Sequence, residues 1–185
     1  MDWVLIGNII GYIAVAFNIV IFVSNRRGVI LIMKLISDCL WATNGVLLSI
    51  TNPANFTSAL LNVIAIGREI VFYYKYNKKW ASHMIWLYIF ASLTLISPFT
   101  SWAGPITLLP TIGSIIAVFA FYSKRPNVIR YLSFVFSIMW LVFGIVVENY
   151  PIVICNVLGI ISSTIGLILD ARAKRLACID EKGSH

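Results

Sequence analysis

Asp38, Arg68 and Glu69 are charged side chains set inside long apolar stretches, and that placement is a chemical statement in itself. A charge at the centre of a membrane helix costs roughly 2.5–3.5 kcal/mol on insertion scales, so such groups pair or line water. Asp38 and Arg68 lie at depths, counted from their basic flanks, that agree within about 3 Å at the helical rise. That agreement predicts an Asp38–Arg68 ion pair. Lys34 precedes Asp38 by one helical turn, with a stem long enough to snorkel to the interface. Three roles are open to the group: a salt bridge tying two helices, an inner gate, or a proton-coupling site.

Amides and indoles form a second constellation. Asn62 and Asn156 each fall about six residues inside an apolar run, where an unpaired amide costs several kcal/mol. Each must therefore face protein or a cavity. Trp41 and Trp140 lie on the preceding runs. Flat aromatic faces beside carboxamide donors and acceptors suit a neutral, polar ring compound such as a sugar or nucleoside. The plainer reading has the indoles packing and the amides cross-linking helices.

Both constellations are organised by a duplication. Trp41 to Gly45 (WATNG) answers Trp140 to Gly144 (WLVFG), Ile10-Gly11 answers Ile112-Gly113, and Leu61-Asn62-Val63 answers Cys155-Asn156-Val157. The offset drifts from 102 to 99 to 94, and the changes fall between helices, where loops absorb length. Direct repeats of three spans are a transporter architecture with substrate held between the halves. The charged group breaks the symmetry: Lys34, Asp38, Arg68 and Glu69 correspond to Ser133, Ser137, Ser162 and Ser163. Asn44, one turn beyond Trp41, is a further candidate, with Phe143 in its place in the second copy.

The elements carrying these residues must be membrane helices. The chain of 185 residues is 60% hydrophobic and 11% charged, with mean hydropathy +0.92, against roughly 25% charged in a soluble domain. Apolar runs at 3–24, 29–50, 56–75, 82–99, 106–123, 128–147 and 151–170 match the roughly 20 residues a span requires. Pro110 sits where a missing backbone donor would bend the fifth span. Seven spans read as three, one and three, with 82–99 as the linker that returns the second copy to the orientation of the first.

Charge gives the sidedness. All 14 Lys and Arg residues fall toward one side of this arrangement, and the opposite loops, Thr51–Asn55, Thr100–Gly104 and Glu148–Tyr150, have none. Positive-inside bias places the N-terminus outside and the C-terminus in the cytoplasm. The formal charge of +7 is thus a topology signal, able to meet anionic lipid and giving no reason to expect nucleic acid. Met1-Asp2-Trp3 lacks the basic start of a cleavable signal. The sequon Asn55-Phe56-Thr57 falls in an expected outer loop. The three cysteines show no paired spacing, and no hydrolase, phosphate-loop or dinucleotide motif is present, so no catalytic residue, metal or cofactor is expected.

The three-one-three plan, with Trp in the second and Asn in the third helix of each triplet, resembles the SWEET and SemiSWEET sugar transporters. The nicotinamide riboside transporters share that design. More closely, Leu108-Leu109-Pro110-Thr111-Ile112-Gly113-Ser114 before an aromatic-rich helix, with Leu61-Asn62, Arg68 and Asn156, resembles the bacterial inner-membrane YgjV family over nearly the whole chain. The resemblance implies a SWEET-like fold, and the Asp38, Arg68 and Glu69 group departs from a plain sugar uniporter. The expectation is an all-α membrane protein of seven transmembrane helices: two parallel three-helix bundles joined by a linker helix. Residues 1–79 form the first repeat, 80–104 the linker, 105–171 the second repeat and 172–185 a cytoplasmic tail. The expected function is transport of a small polar metabolite by alternating access in the inner membrane. The alternative is a non-transporting protein that assembles or regulates membrane partners. Substrate, coupling ion and oligomeric state, a homo-oligomer included, are open at this level.

Overall fold

The computed structural model describes residues 2–23, 27–75, 78–123 and 126–183, and the regular elements among them are helical. They are α1 (Trp3–Val23), α2 (Arg27–Leu48), α3 (Ala54–Tyr74), α4 (Ile85–Thr100), α5 (Leu108–Tyr122), α6 (Pro126–Val146) and α7 (Tyr150–Gly183). Short 3₁₀ turns at Lys79–Ser82 and Pro105–Thr107 lead into α4 and α5. Arg26, Lys124, Arg125 and His185 lie outside the described residues.

By length and composition, four segments among the described residues can cross a membrane: Trp3–Ile21, Ala54–Tyr74, Pro105–Tyr122 and Tyr150–Leu169. Ile85–Thr100 and Tyr131–Val146 are shorter apolar helices. Lys34 and Asp38 lower the apolar character of α2.

Packing explains how these helices enclose a site. Within the first half α1 packs on α2 and α2 on α3; within the second, α5 packs on α6 and α6 on α7. Contacts of α3 with α5 and of α7 with α1 close the six into a ring, and α4 leans on α3 and α5 from outside it.

The ring has two distinguishable ends. At one, Thr57 Oγ1 donates to the Ser101 carbonyl at 2.8 Å, and Pro151 abuts Gly11. At the other, Lys75 Nζ donates to the Tyr122 carbonyl at 3.0 Å and lies 3.1 Å from the centre of the Tyr122 ring. The latter is the basic end. Each end has its own apolar core, one around Trp41, Phe143, Val147 and Ile152, the other around Phe72, Leu87, Phe90 and Val118.

Glycine is required where α1 meets α7. A Cβ on Gly11 would lie 2.7 Å from Pro151 side-chain carbons and 2.8 Å from Asn44 Nδ2. Gly45 and Gly144, paired by the repeat, serve the α2–α3 and α6–α7 crossings, with neighbours at 2.8 and 2.9 Å.

Two local expectations are corrected. Pro110 does not bend a span: α5 begins at Leu108, so Pro110 lies in the first turn, where the amide has no partner to lose. Asn55 is not in an outer loop; it is a buried residue of the first turn of α3. The α7 backbone stays helical to Gly183, through most of the stretch expected as a cytoplasmic tail. The α6–α7 connection is tight, with Glu148 at φ 55° and Asn149 N–H bonded to the Gly144 carbonyl at 2.9 Å. This is a Schellman-type helix end with a non-glycine residue in its left-handed position.

Candidate functional site

All six ring helices contribute to one central cavity of ≈ 120 Å³, and α4 contributes nothing to it. Its polar wall is Asn18, Lys34, Asp38, Asn62, Arg68 and Asn156, and Trp41, Phe121, Phe136 and Trp140 supply aromatic faces. Seven of the nine residues singled out from the sequence thus meet in one place, the exceptions being Asn44 and Glu69.

Asn62 and Asn156 are held in the same way. Each Nδ2 donates to the carbonyl four residues earlier on its own helix, Ser58 and Ile152 respectively, at 2.8 Å in both cases. That bond uses one amide hydrogen and fixes the plane of the group. The second N–H and the carbonyl oxygen of each amide are left for the cavity. Trp41 is buried and belongs to the core cluster as well as the cavity wall, so packing and lining are the same job for this residue. Trp140 packs edge-on to Phe143, with ring centres 5.9 Å apart.

The charged residues pair along the chain and not across helices. Lys34 Nζ bonds Asp38 Oδ1, and Arg68 Nη2 bonds Glu69 Oε1 at 2.9 Å. This replaces the expected Asp38–Arg68 bridge. Equal depth fixes height along the membrane axis but says nothing of bearing around it, and each charge finds a partner on its own helix first. Lys34, expected to snorkel, is instead drawn to Asp38, with 22% of its side chain exposed against 1% for Asp38. Arg68 also stacks over the Phe121 ring at 5.1 Å. Glu69 turns toward a separate cleft between α2 and α3, lined by Ile32, Leu35, Ile70 and Tyr73. Two buried atoms in this group have no hydrogen-bond partner among the described residues: Asp38 Oδ2 and Arg68 Nε.

Asn44 has a different place. It is fully buried at the end of the ring opposite the basic one, donating to the Gly7 carbonyl at 2.9 Å. Asn149 Nδ2 donates to both Asn44 Oδ1 at 3.0 Å and Asn55 Oδ1 at 3.2 Å. Its own Oδ1 accepts the Ile152 N–H at 3.4 Å, capping α7. The three amides thereby join α1, α2, α3 and α7 across that end of the cavity. Sequence reading passed over Asn55 and Asn149 because both were assigned to loops. The signal was available: their offset of 94 is that of Asn62 and Asn156. Asn18, whose amide bonds Ser37 Oγ at 2.6 Å, has no counterpart in the repeat, since the position 102 residues on is Ala120.

With this geometry in hand, comparison with known proteins gives a family. The model of the Imp-YgjV family, described as bacterial inner membrane protein, matches residues 5–174. The chain belongs to that family. It is therefore an inner-membrane protein, and its apolar helices have the bilayer as their solvent. No curated protein and no solved structure matches it.

Proposed function

We propose that this protein is a small transporter that moves a polar metabolite by alternating access between its two halves, in the manner of SWEET-like 3-1-3 proteins. The observation that carries the reading is the central cavity, walled by all six ring helices and bearing the repeat-related amides Asn62 and Asn156 with Trp41 and Trp140. A structural cross-link needs no void. Polar groups retained around a void in the bilayer are the mark of a solute path.

Size sets a condition on the cargo. A cavity of roughly 150 Å³ admits one benzene-sized molecule, so at ≈ 120 Å³ the cavity is occluded, and a sugar- or nucleoside-like solute enters only as the halves move apart. In this reading the basic end faces the cytoplasm, and the Asn44–Asn55–Asn149 cluster is the outer closure. Opening outward would exchange those amide bonds for water.

Thermal-shift screening of the purified protein against sugars, nucleosides and vitamins tests the reading, followed by uptake of any hit into proteoliposomes. Asn62→Ala and Asn156→Ala should each abolish ligand stabilisation with the unliganded fold largely kept. Losing one good hydrogen bond costs about 1–3 kcal/mol, or roughly 5- to 150-fold in affinity. Ligand binding retained in Asn156→Ala but lost in Asn62→Ala would reject the shared central pocket.

A further inference from the structure

We propose that Asp38 is a proton-binding site and that its protonation drives the first half between two cavity states, making transport proton-coupled. The inference rests on the transporter reading and adds a second ligand, the proton, to the same cavity.

Asp38 is short of partners. It is fully buried, one carboxylate oxygen is tied to Lys34, and the other has no partner among the described residues. A half-satisfied carboxylate in a low-dielectric interior is costly, and taking up a proton removes the charge that makes it so. Nothing in the packing asks for a carboxylate here. The equivalent position in the second half is Ser137, which is likewise buried, so the same helix surface closes around a hydroxyl.

The surroundings supply a consequence for that proton. On its own helix Asp38 faces Lys34; α3 brings Arg68 and Glu69, already paired with each other; α7 brings Cys155. Asn18 of α1, Ser114 and Phe121 of α5 and Phe136 and Trp140 of α6 are uncharged, so α1, α5 and α6 bring no charge to the cavity wall. The four charges sum to zero, in two pairs. When a proton from the aqueous phase converts the Asp38 carboxylate to a carboxylic acid, Lys34 loses its counter-charge. Lys34 is also the only one of the four with an appreciably exposed side chain. Its stem can carry the ammonium toward the basic end, out of the cavity wall. Arg68 and Glu69 have no such route and hold their pair in both states. Releasing the proton returns Lys34 to Asp38. The two-state element is thus one long side chain, set by one proton and placed in the wall that a substrate must touch.

The test needs no known substrate. Infrared difference spectra of the full-length protein in lipid, recorded while pH is stepped, read the carbonyl stretch of a protonated carboxylic acid. A band that titrates in the wild type, disappears in Asp38→Asn and in Asp38→Ser, and survives in Glu69→Gln supports the proposal. Asp38→Ser copies the second half and guards against a mere folding defect. A second readout is the labelling of Cys155 by a maleimide at one fixed pH, followed by mass spectrometry. Asp38→Asn, which mimics the protonated state, should label several-fold faster than the wild type, because Lys34 has left the wall. No titrating band in the wild type, a band that persists in both Asp38 variants, or unchanged labelling of Cys155 would overturn the proposal. These outcomes leave uniport standing, whereas the transporter reading fails on its own uptake assay.

Discussion

At the residue scale, the closest tolerances are at glycine and asparagine. Gly11 lets α1 and α7 approach until a methyl group would overlap both Pro151 and Asn44. Gly11→Ala should therefore lower stability by about 1–3 kcal/mol, the usual cost of overpacking. Gly67, whose added Cβ would meet only the Phe90 ring at 3.5 Å, is the control. Gly67→Ala should be neutral or stabilising by up to about 1 kcal/mol, since alanine is the better helix former. Thermal unfolding in detergent separates the two; equal losses would mean that the α1–α7 contact yields to an added methyl group. The cavity amides Asn62 and Asn156 were legible in the sequence because duplication set them in register, and an unpaired amide in an apolar run must face protein or a cavity. Partnership was not legible. Asp38 and Arg68 share a depth yet bond Lys34 and Glu69, because rotation about each helix axis is decided by packing that no depth count contains.

At the element scale, helix positions followed from hydropathy and helix ends from local chemistry. Each helix except α7 lies within three residues of the apolar run that predicted it at both ends. The exception has a physical cause: hydropathy drops at Asp170, but Ala171 to Leu176 are good helix formers, so the backbone continues where the apolar signal stops. Pro110 misled for the opposite reason, since a proline three residues inside a helix reads as a kink only if the helix start is set too early. Its place in the first turn gives a prediction. Pro110→Ala should change stability by less than about 1 kcal/mol, far below the roughly 3 kcal/mol of a helix-interior proline. A loss near the larger figure in a melting experiment would restore the bent-span reading. The loop before α7 was expected at Glu148–Tyr150, but its conformation was not, because Glu148 is an unexpected residue for a left-handed position and nothing in its type announces it. That turn is what swings Asn149 back over the cavity end to meet Asn44 and Asn55.

At the scale of the whole molecule, the ring gives the charge asymmetry a geometric meaning. Lys75, Lys79 and the final turns of α3 and α5 gather at one end, and the amide cluster closes the other. Positive-inside bias then predicts that a reporter fused after Arg175 reads cytoplasmic and one inserted at Asn52 reads external. A cytoplasmic signal from Asn52 would sink the seven-span orientation. The same ring also constrains how the gene can change. Because the cavity wall draws on both halves, the proposed transport would tie the two copies together: a substitution at Asn62 is then judged against Asn156 on the far side. The copies have nonetheless parted on that wall, where Lys34, Asp38 and Arg68 stand opposite Ser133, Ser137 and Ser162. On the proposed reading, the shared amides mark what both halves ask of one occupant, and the unshared charges mark a task given to the first half alone.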